Sequence, residues 1–315
     1  MKTPTYWKNI NILSLVLWPL GCVYGLATAL RLMIRTPHKV NAKVICVGNL
    51  TAGGTGKTPV AISLAAILQQ NGKNPYFISR GYGGKLKALQ VVSGRHTAAD
   101  VGDEPLLLAR QAPVMINPDR YAGALIAEQE GADYVIMDDG FQNPTLYKDI
   151  SFVVIDGSFG LGNGFCIPAG PLREFKRAGL KRASAIMLIG DDTHHLADSF
   201  GRLPVFRGRI KAVSPSPLTY DVVAFAGIGR PGKFYQSLQE CGFKVVATKD
   251  FPDHHFYTED ELNAMIALGK QHKAPVYTTA KDFVKIPPHL QSKFKVLEIA
   301  IEWENPSELA DFMLR

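Results

Sequence analysis

The segment Lys43–Pro59, KVICVGNLTAGGTGKTP, decides the fold. Lys43 to Val47 is a short apolar run of the kind a strand buried on both faces requires. Pro59 to Gln70 repeats apolar residues at helical spacing, with Val60, Leu64, Ile67 and Leu68 on one side. Between them lies a glycine-rich turn that ends in Gly56-Lys57-Thr58. Strand, glycine turn and helix in this order make a phosphate-binding loop. Backbone N–H groups and the helix dipole cradle phosphates, Lys57 reaches the β/γ-phosphates, and Thr58 offers its hydroxyl to Mg²⁺. Thr51, Ala52, Gly53, Gly54, Thr55, Gly56, Lys57 and Thr58 are therefore the expected nucleotide contacts, and ATP with Mg²⁺ the expected cofactors. Thr51 stands where the usual pattern opens on glycine.

Such a loop needs an acidic partner at the end of a neighbouring strand. Asp133 to Met137 reads as that strand and runs into Asp138-Asp139-Gly140. One aspartate can hold the metal, directly or through water, and the other is free for proton chemistry. Strand and helix alternate over residues 40–215, with Ile150–Asp156 and Ala185–Ile189 as later strands. After Pro215-Ser216-Pro217 the alternation resumes, with strands at Val222–Ala226, Lys244–Ala247, Pro275–Thr278 and Val296–Ile301. The expected fold class is α/β: a P-loop NTPase-like parallel sheet domain over 39–215, a second, smaller α/β domain over 216–315 that closes the cleft, and an N-terminal membrane-associated helix over 1–38.

Charge is laid out unevenly. The first acidic residue is Asp100, so residues 1–99 carry twelve Lys and Arg against no Asp or Glu. A basic front of this kind fits an anionic partner such as a membrane surface. Ile10 to Ile34 is almost wholly apolar, bracketed by Lys2 and Lys8 before it and Arg31, Arg35, Lys39 and Lys43 around and after it. A helix of that length reaches about 37 Å, enough to cross a hydrocarbon core. Asn11, Ser14, Pro19 and Gly21 interrupt it, so an in-plane helix is an equal alternative. Ala27-Thr28-Ala29 resembles a leader cleavage site, but a nucleotide loop some twenty residues later needs cytosolic ATP. Cys22, Cys46, Cys166 and Cys241 form no C-x-x-C pair, which argues against a disulfide framework or a zinc site.

Beyond nucleotide chemistry the motifs form a series: Gly48-Asn49-Leu50-Thr51 through Lys57-Thr58; Arg80-Gly81-Tyr82-Gly83-Gly84; Gly102-Asp103-Glu104-Pro105; Asp138-Asp139-Gly140-Phe141-Gln142; Pro168 to Glu174; Phe225-Ala226-Gly227-Ile228-Gly229; and Phe251-Pro252-Asp253-His254-His255. In this order, after an apolar basic segment, they resemble the tetraacyldisaccharide 4'-kinase family of lipid A biosynthesis. Asn143, Phe175 and Ala280 depart from the family's usual residues. The resemblance implies transfer of the γ-phosphoryl of ATP to the 4'-hydroxyl of an acylated disaccharide 1-phosphate, giving lipid IVA, at the cytoplasmic face of the inner membrane.

A sugar hydroxyl needs a base for its proton and a cation for the charge that spreads over the γ-phosphoryl oxygens. Asp103 is the base this reading favours, with a helix cap as the bland alternative. Glu104, Asp138 and Glu174 join Thr58 as candidate metal contacts. Arg173, with its fixed fork of donors, is the candidate charge stabiliser. His254, paired with Asp139 across the cleft, is expected to tune the proton transfer. A partition-type ATPase would carry a second lysine where Ala52 stands, and a nucleic-acid-binding ATPase would interleave basic and aromatic side chains on a polar surface. No nucleic acid and no protein partner is therefore expected.

Overall fold

The computed structural model describes residues 4–91, 95–213 and 220–315. The Pro215-Ser216-Pro217 boundary lies outside them. Thirteen strands occur among the described residues: β1 Lys43–Gly48, β2 Pro75–Ser79, β3 Leu89–Val91, β4 Val114–Ile116, β5 Tyr134–Asp138, β6 Ile150–Asp156, β7 Ala185–Ile189, β8 Val205–Ala212, β9 Asp221–Ala226, β10 Lys244–Asp250, β11 Val276–Thr279, β12 Phe294–Leu297 and β13 Ile299–Trp303. They form a nine-stranded sheet, ordered β13-β8-β7-β6-β1-β5-β2-β4-β3, and a four-stranded one, ordered β10-β9-β11-β12.

The large sheet is parallel except at its two edges, where β3 and β13 run antiparallel to β4 and β8. Every residue of β5, β6 and β7 is buried, as expected of strands covered by helices on both faces. The P-loop strand β1 sits between β5 and β6, so the chain turns opposite ways on its two sides. Ligands of open parallel sheets bind in the crevice at such a switch point, beyond the carboxyl ends of the strands. On one face, helix α2 (Lys57–Gln70) packs Val60, Ala61, Leu64, Ala65 and Leu68 against Ile45, Phe77 and Ile136.

The C-terminal end corrects the expected layout. Val296–Ile301 does not continue as one strand of the smaller sheet. The chain breaks at Glu298, and β13 crosses back to pair with β8, Ile301 opposite Ile210 and Trp303 opposite Gly208. The helix Pro306–Leu314 then buries Leu309 and Met313 in the large core, while Trp303 donates its indole N–H to Ser63 Oγ at 2.8 Å. The apolar face of residues 299–314 finds its partner on the large sheet, so the smaller sheet ends with β12. A second tie between the sheets sits at the end of β6, where Asp156 accepts from Arg230 and Lys233, each at 2.6 Å.

Helix α1 (Ile12–Ile34) runs unbroken through Pro19 for 23 residues, about 34 Å. Asn11 and Ser14 start it, each side chain accepting from the other's backbone N–H. Ser14, Gly21, Gly25 and Thr28 are its buried face, and Ile12, Val16, Val23, Leu26 and Met33 are among its exposed apolar residues. A Cβ on Gly21 would come within 2.7 Å of the Cys166 carbonyl, and one on Gly25 within 2.7 Å of the Phe175 ring. The small residues thus let the helix lie against the 162–175 loop, with a large apolar surface turned outward.

Candidate active site

The P-loop is braced from within and from the side. Gly56 takes a φ of +85° just before α2 begins at Lys57, a conformation that favours glycine. Asn49, fully buried, donates through Nδ2 to the Thr51 carbonyl at 2.6 Å and to Thr55 Oγ1 at 3.2 Å. Pro171–Arg173 lies antiparallel to Leu50–Ala52: Ala52 N donates to Pro171 O and Arg173 N to Leu50 O, both at 2.7 Å. This zipper delivers the Arg173 side chain beside Lys57. Arg173 Nη1 donates to Asp139 Oδ1 at 2.8 Å, and Lys57 Nζ lies 3.7 Å from the same oxygen. Desolvation in the cleft works to raise the Asp139 pKa, but Lys57 and Arg173 outweigh it and hold the carboxyl below the usual range. Asp139 also adopts a left-handed φ of +51°, an uncommon conformation found preferentially at functional sites.

Asp138, at the end of β5, is buried and accepts from Thr58 Oγ1 at 2.9 Å through Oδ2, while its Oδ1 is buried with no hydrogen-bond partner. Burial first, and the field of Glu104 second, push this carboxyl well above the usual carboxylate range against the pull of Lys57. A buried oxygen without a donor is what a bound cation relieves, and Mg²⁺ binds through one or two carboxylates plus substrate phosphates. Thr58 and Asp138 fit that requirement, and Glu104 is the carboxylate whose field acts most strongly on Asp138. Glu174 does not fit. Its carboxylate is 2% exposed and is taken up by Arg182 Nη2, at 2.7 and 2.8 Å, and by Gln142 Nε2 at 2.9 Å. It ties the Arg173 loop to the Asp-Asp-Gly loop, since Gln142 Nε2 also donates to Asn49 O. Glu174→Ala should therefore cost about 1–3 kcal/mol of stability in chemical denaturation, because Arg182 and Gln142 lose their acceptor. A metal-ligand role would instead raise the Mg²⁺ requirement of an equally stable protein.

The expected pairing of His254 with Asp139 is replaced by another. Asp139 is held by Lys57 and Arg173, and His254 Nδ1 lies 3.1 and 3.0 Å from the two oxygens of Asp103. Asp103 opens the helix Asp103–Leu108 and is 5% exposed, whereas His254, at a φ of +60°, is 33% exposed. The cap role also fails to account for Asp103: among the described residues the one backbone N–H its carboxylate accepts is that of the adjacent Glu104, and the helix carries no side-chain N-cap bond. Burial works to raise Asp103, but the bond from His254 and the Lys281 ammonium leave it lowered. The same bond, opposed by burial and Lys281, raises His254 above its ordinary value.

Several residues of the site carry no expectation from the sequence. Lys281 Nζ lies 3.2 Å from His254 Nε2, 3.4 Å from Glu104, 3.5 Å from Asp253 and 4.0 Å from Asp103. Arg120 is 4% exposed, donates to Asn117 O at 3.0 Å and feels the fields of Asp138 and Asp139, while burial pulls its guanidinium down to about 10. The signals were Lys281-Asp282 after two threonines and Asp119-Arg120 at a helix start, both ordinary when read locally.

With this geometry in place, the chain can be set beside known proteins. Residues 13–315 match the family described as tetraacyldisaccharide-1-P 4'-kinase. A tetraacyldisaccharide 4'-kinase of Paramagnetospirillum magneticum is 44% identical over 98% of this chain and 97% of its own. One from Rhodospirillum centenum is 46% identical over 98% and 95%. The crystal structure of LpxK from Aquifex aeolicus, described as in complex with ATP, superposes with a TM-score of 0.77 at 28% identity, covering 96% of this chain and 99% of that one. Both the match along nearly the whole length and the shared architecture lead to one conclusion: the chain belongs to the tetraacyldisaccharide-1-P 4'-kinase family.

Proposed function

We propose that the chain carries out its family's reaction with the residues described above in specific roles. It is a kinase of a tetraacyldisaccharide 1-phosphate, moving the γ-phosphoryl of ATP to the 4'-hydroxyl. The observation that carries the role assignment is the convergence of Lys57 and Arg173 on one oxygen of Asp139 at the mouth of the P-loop, with the Asp103–His254 pair linked to it through Glu104, whose field acts on Asp138. In this reading Lys57 and Arg173 leave Asp139 for the phosphoryl oxygens, where charge spreads in a loose transition state. Thr58, Asp138 and Glu104 would hold Mg²⁺, which would neutralise phosphate charge.

The proton goes to His254. A base works best with a pKa near the operating pH. Asp103, buried and held low, is a poor acceptor, while His254 is raised above its ordinary value by the bond to Asp103 and is more exposed. Asp103 orients the ring and balances the imidazolium that forms. The hydroxyl O–H bond breaks toward His254, the new O–P bond forms, and ADP leaves. The test of the reading is acceptor-dependent turnover. ADP release should require the lipid acceptor in detergent micelles and should not respond to DNA. DNA-stimulated or acceptor-independent turnover would contradict it.

Helix α1 supports placement at a lipid surface, since Ile12–Ile34 is long and apolar enough to cross a membrane and mostly unburied. Its small-residue face is already occupied by the 162–175 loop, which favours a helix lying in the cytoplasmic face of the inner membrane with its apolar side down. Deleting residues 1–35 should abolish sedimentation with anionic vesicles and raise KM for the lipid more than KM for ATP. Normal vesicle binding by the truncated protein would mean that α1 is only core structure.

A further inference from the structure

Lys281 has no part in the mechanism above, yet the fold is built to hold it. It lies in the one-turn helix Ala280–Phe283, whose next residue, Asp282, is fully buried. The Asp282 carboxylate accepts from Tyr257 Oη at 2.8 Å, Thr279 Oγ1 at 2.7 Å and the Gly227 N–H at 3.0 Å, and pairs with the buried Lys285 at 2.7 Å. Three hydrogen bonds and an ion pair on one buried carboxylate fix the helix, and with it the point where Lys281 emerges. Buried networks of this kind rigidify what they carry.

For a neutral His254 ring, the chemistry at the Lys281 tip selects one tautomer. An ammonium only donates. Its 3.2 Å approach to His254 Nε2 therefore makes Nε2 the acceptor, and the ring proton must sit on Nδ1, where Asp103 accepts it at 3.0 Å. Glu104, Asp253 and Asp103 surround the ammonium at 3.4, 3.5 and 4.0 Å. We propose that Lys281 is a positioning residue of the phosphoryl transfer: by donating to Nε2 it holds the neutral imidazole of His254 in the Nδ1–H form, with the accepting lone pair on Nε2. Asp253 already lies 3.5 Å from Nζ and receives the ammonium when the acceptor hydroxyl takes its place at Nε2. Lys281 keeps its three protons throughout, and the hydroxyl proton passes to His254.

The inference rests on His254 as the base and is tested by the acidic limb of the kcat/KM profile for the lipid. The groups that face His254 are Asp103, Asp253, Lys281 and the Tyr82 ring. Asp103 and Asp253 favour the imidazolium and Lys281 opposes it. Removing the ammonium in Lys281→Met should move the limb to higher pH by about one unit, a tenfold change in the protonation equilibrium. KM for ATP should be unchanged, and Lys281→Arg should bring the limb back toward its wild-type position. In the wild-type protein labelled with ¹⁵N-histidine, His254 should show an unprotonated Nε2 above the limb. A limb left in place by Lys281→Met, with activity lowered evenly at all pH, or a protonated Nε2 in the neutral wild-type ring, overturns the proposal. His254→Ala separates the two readings. If its residual activity keeps the limb, the base assignment itself is wrong. If the limb disappears there but Lys281→Met does not move it, only the role of Lys281 fails.

Discussion

Replacing His254 with alanine lowers kcat by about 10²- to 10⁴-fold, the range general base catalysis supplies, with KM for ATP little changed. The loss is confined to chemistry because His254 reaches the site from the 252–256 loop and touches Asp103 and Lys281, not the P-loop. Asp103→Ala falls in the same range, and the double variant loses little more than either single one, since the two residues act as one unit. Their pH behaviour tells them apart. The reaction needs His254 neutral, so activity rises with pH through a pKa that Asp103 holds above the ordinary histidine value. Asp103→Asn removes the group that raises it, so the surviving activity keeps its limb but at lower pH. Were Asp103 the base, its lowered pKa would put the wild-type limb below the ordinary carboxylate range. Stopped-flow measurement of phosphoryl transfer between pH 5 and pH 9 decides between them.

Lys57→Ala reduces kcat at least about 100-fold, comparable to removing a charge-stabilising donor elsewhere. The loss is electrostatic. The Lys57 side chain is 13% exposed, packs no apolar cluster and finds its partner in Asp139, so its removal takes away phosphate neutralisation and leaves Arg173 to hold Asp139. The thermal midpoint should stay within a few degrees of wild type. Retention of more than about a tenth of kcat, less than roughly 1.4 kcal/mol of barrier, would remove the P-loop assignment.

What was legible in the sequence was what local pattern encodes. The apolar run of β1, the glycine turn, Gly56-Lys57-Thr58 and the spacing of Val60, Leu64 and Leu68 all lie within one segment, and the structure builds them as read. The strand before Asp138-Asp139 was equally plain. Pairing across the chain was not. Asp103 and His254 are 151 residues apart, and nothing local in either motif distinguishes that partner from Asp139. Glu174 beside Arg173 looked like an active-site carboxylate because its two partners, Arg182 and Gln142, come from a following helix and a separate loop. The return of β13 was hidden because Val296–Ile301 is broken only by Glu298, and a single polar residue does not announce a change of sheet. Pro19 was read as an interruption, yet α1 continues through it, with its small residues buried and its apolar side exposed. Tertiary context, not propensity, settles such a helix.

The central claim is that this chain phosphorylates a membrane lipid at one sugar hydroxyl, and it is tested most directly by following the label. The protein is incubated with [γ-³²P]ATP, Mg²⁺ and a tetraacyldisaccharide 1-phosphate in detergent micelles, and the lipid is then extracted and its phosphate positions are assigned by NMR. The account predicts a bisphosphorylated lipid with all new label at the 4' position, and none with Lys57→Ala. Label released as inorganic phosphate, or placed on the 1-phosphate to give a pyrophosphate, would contradict it.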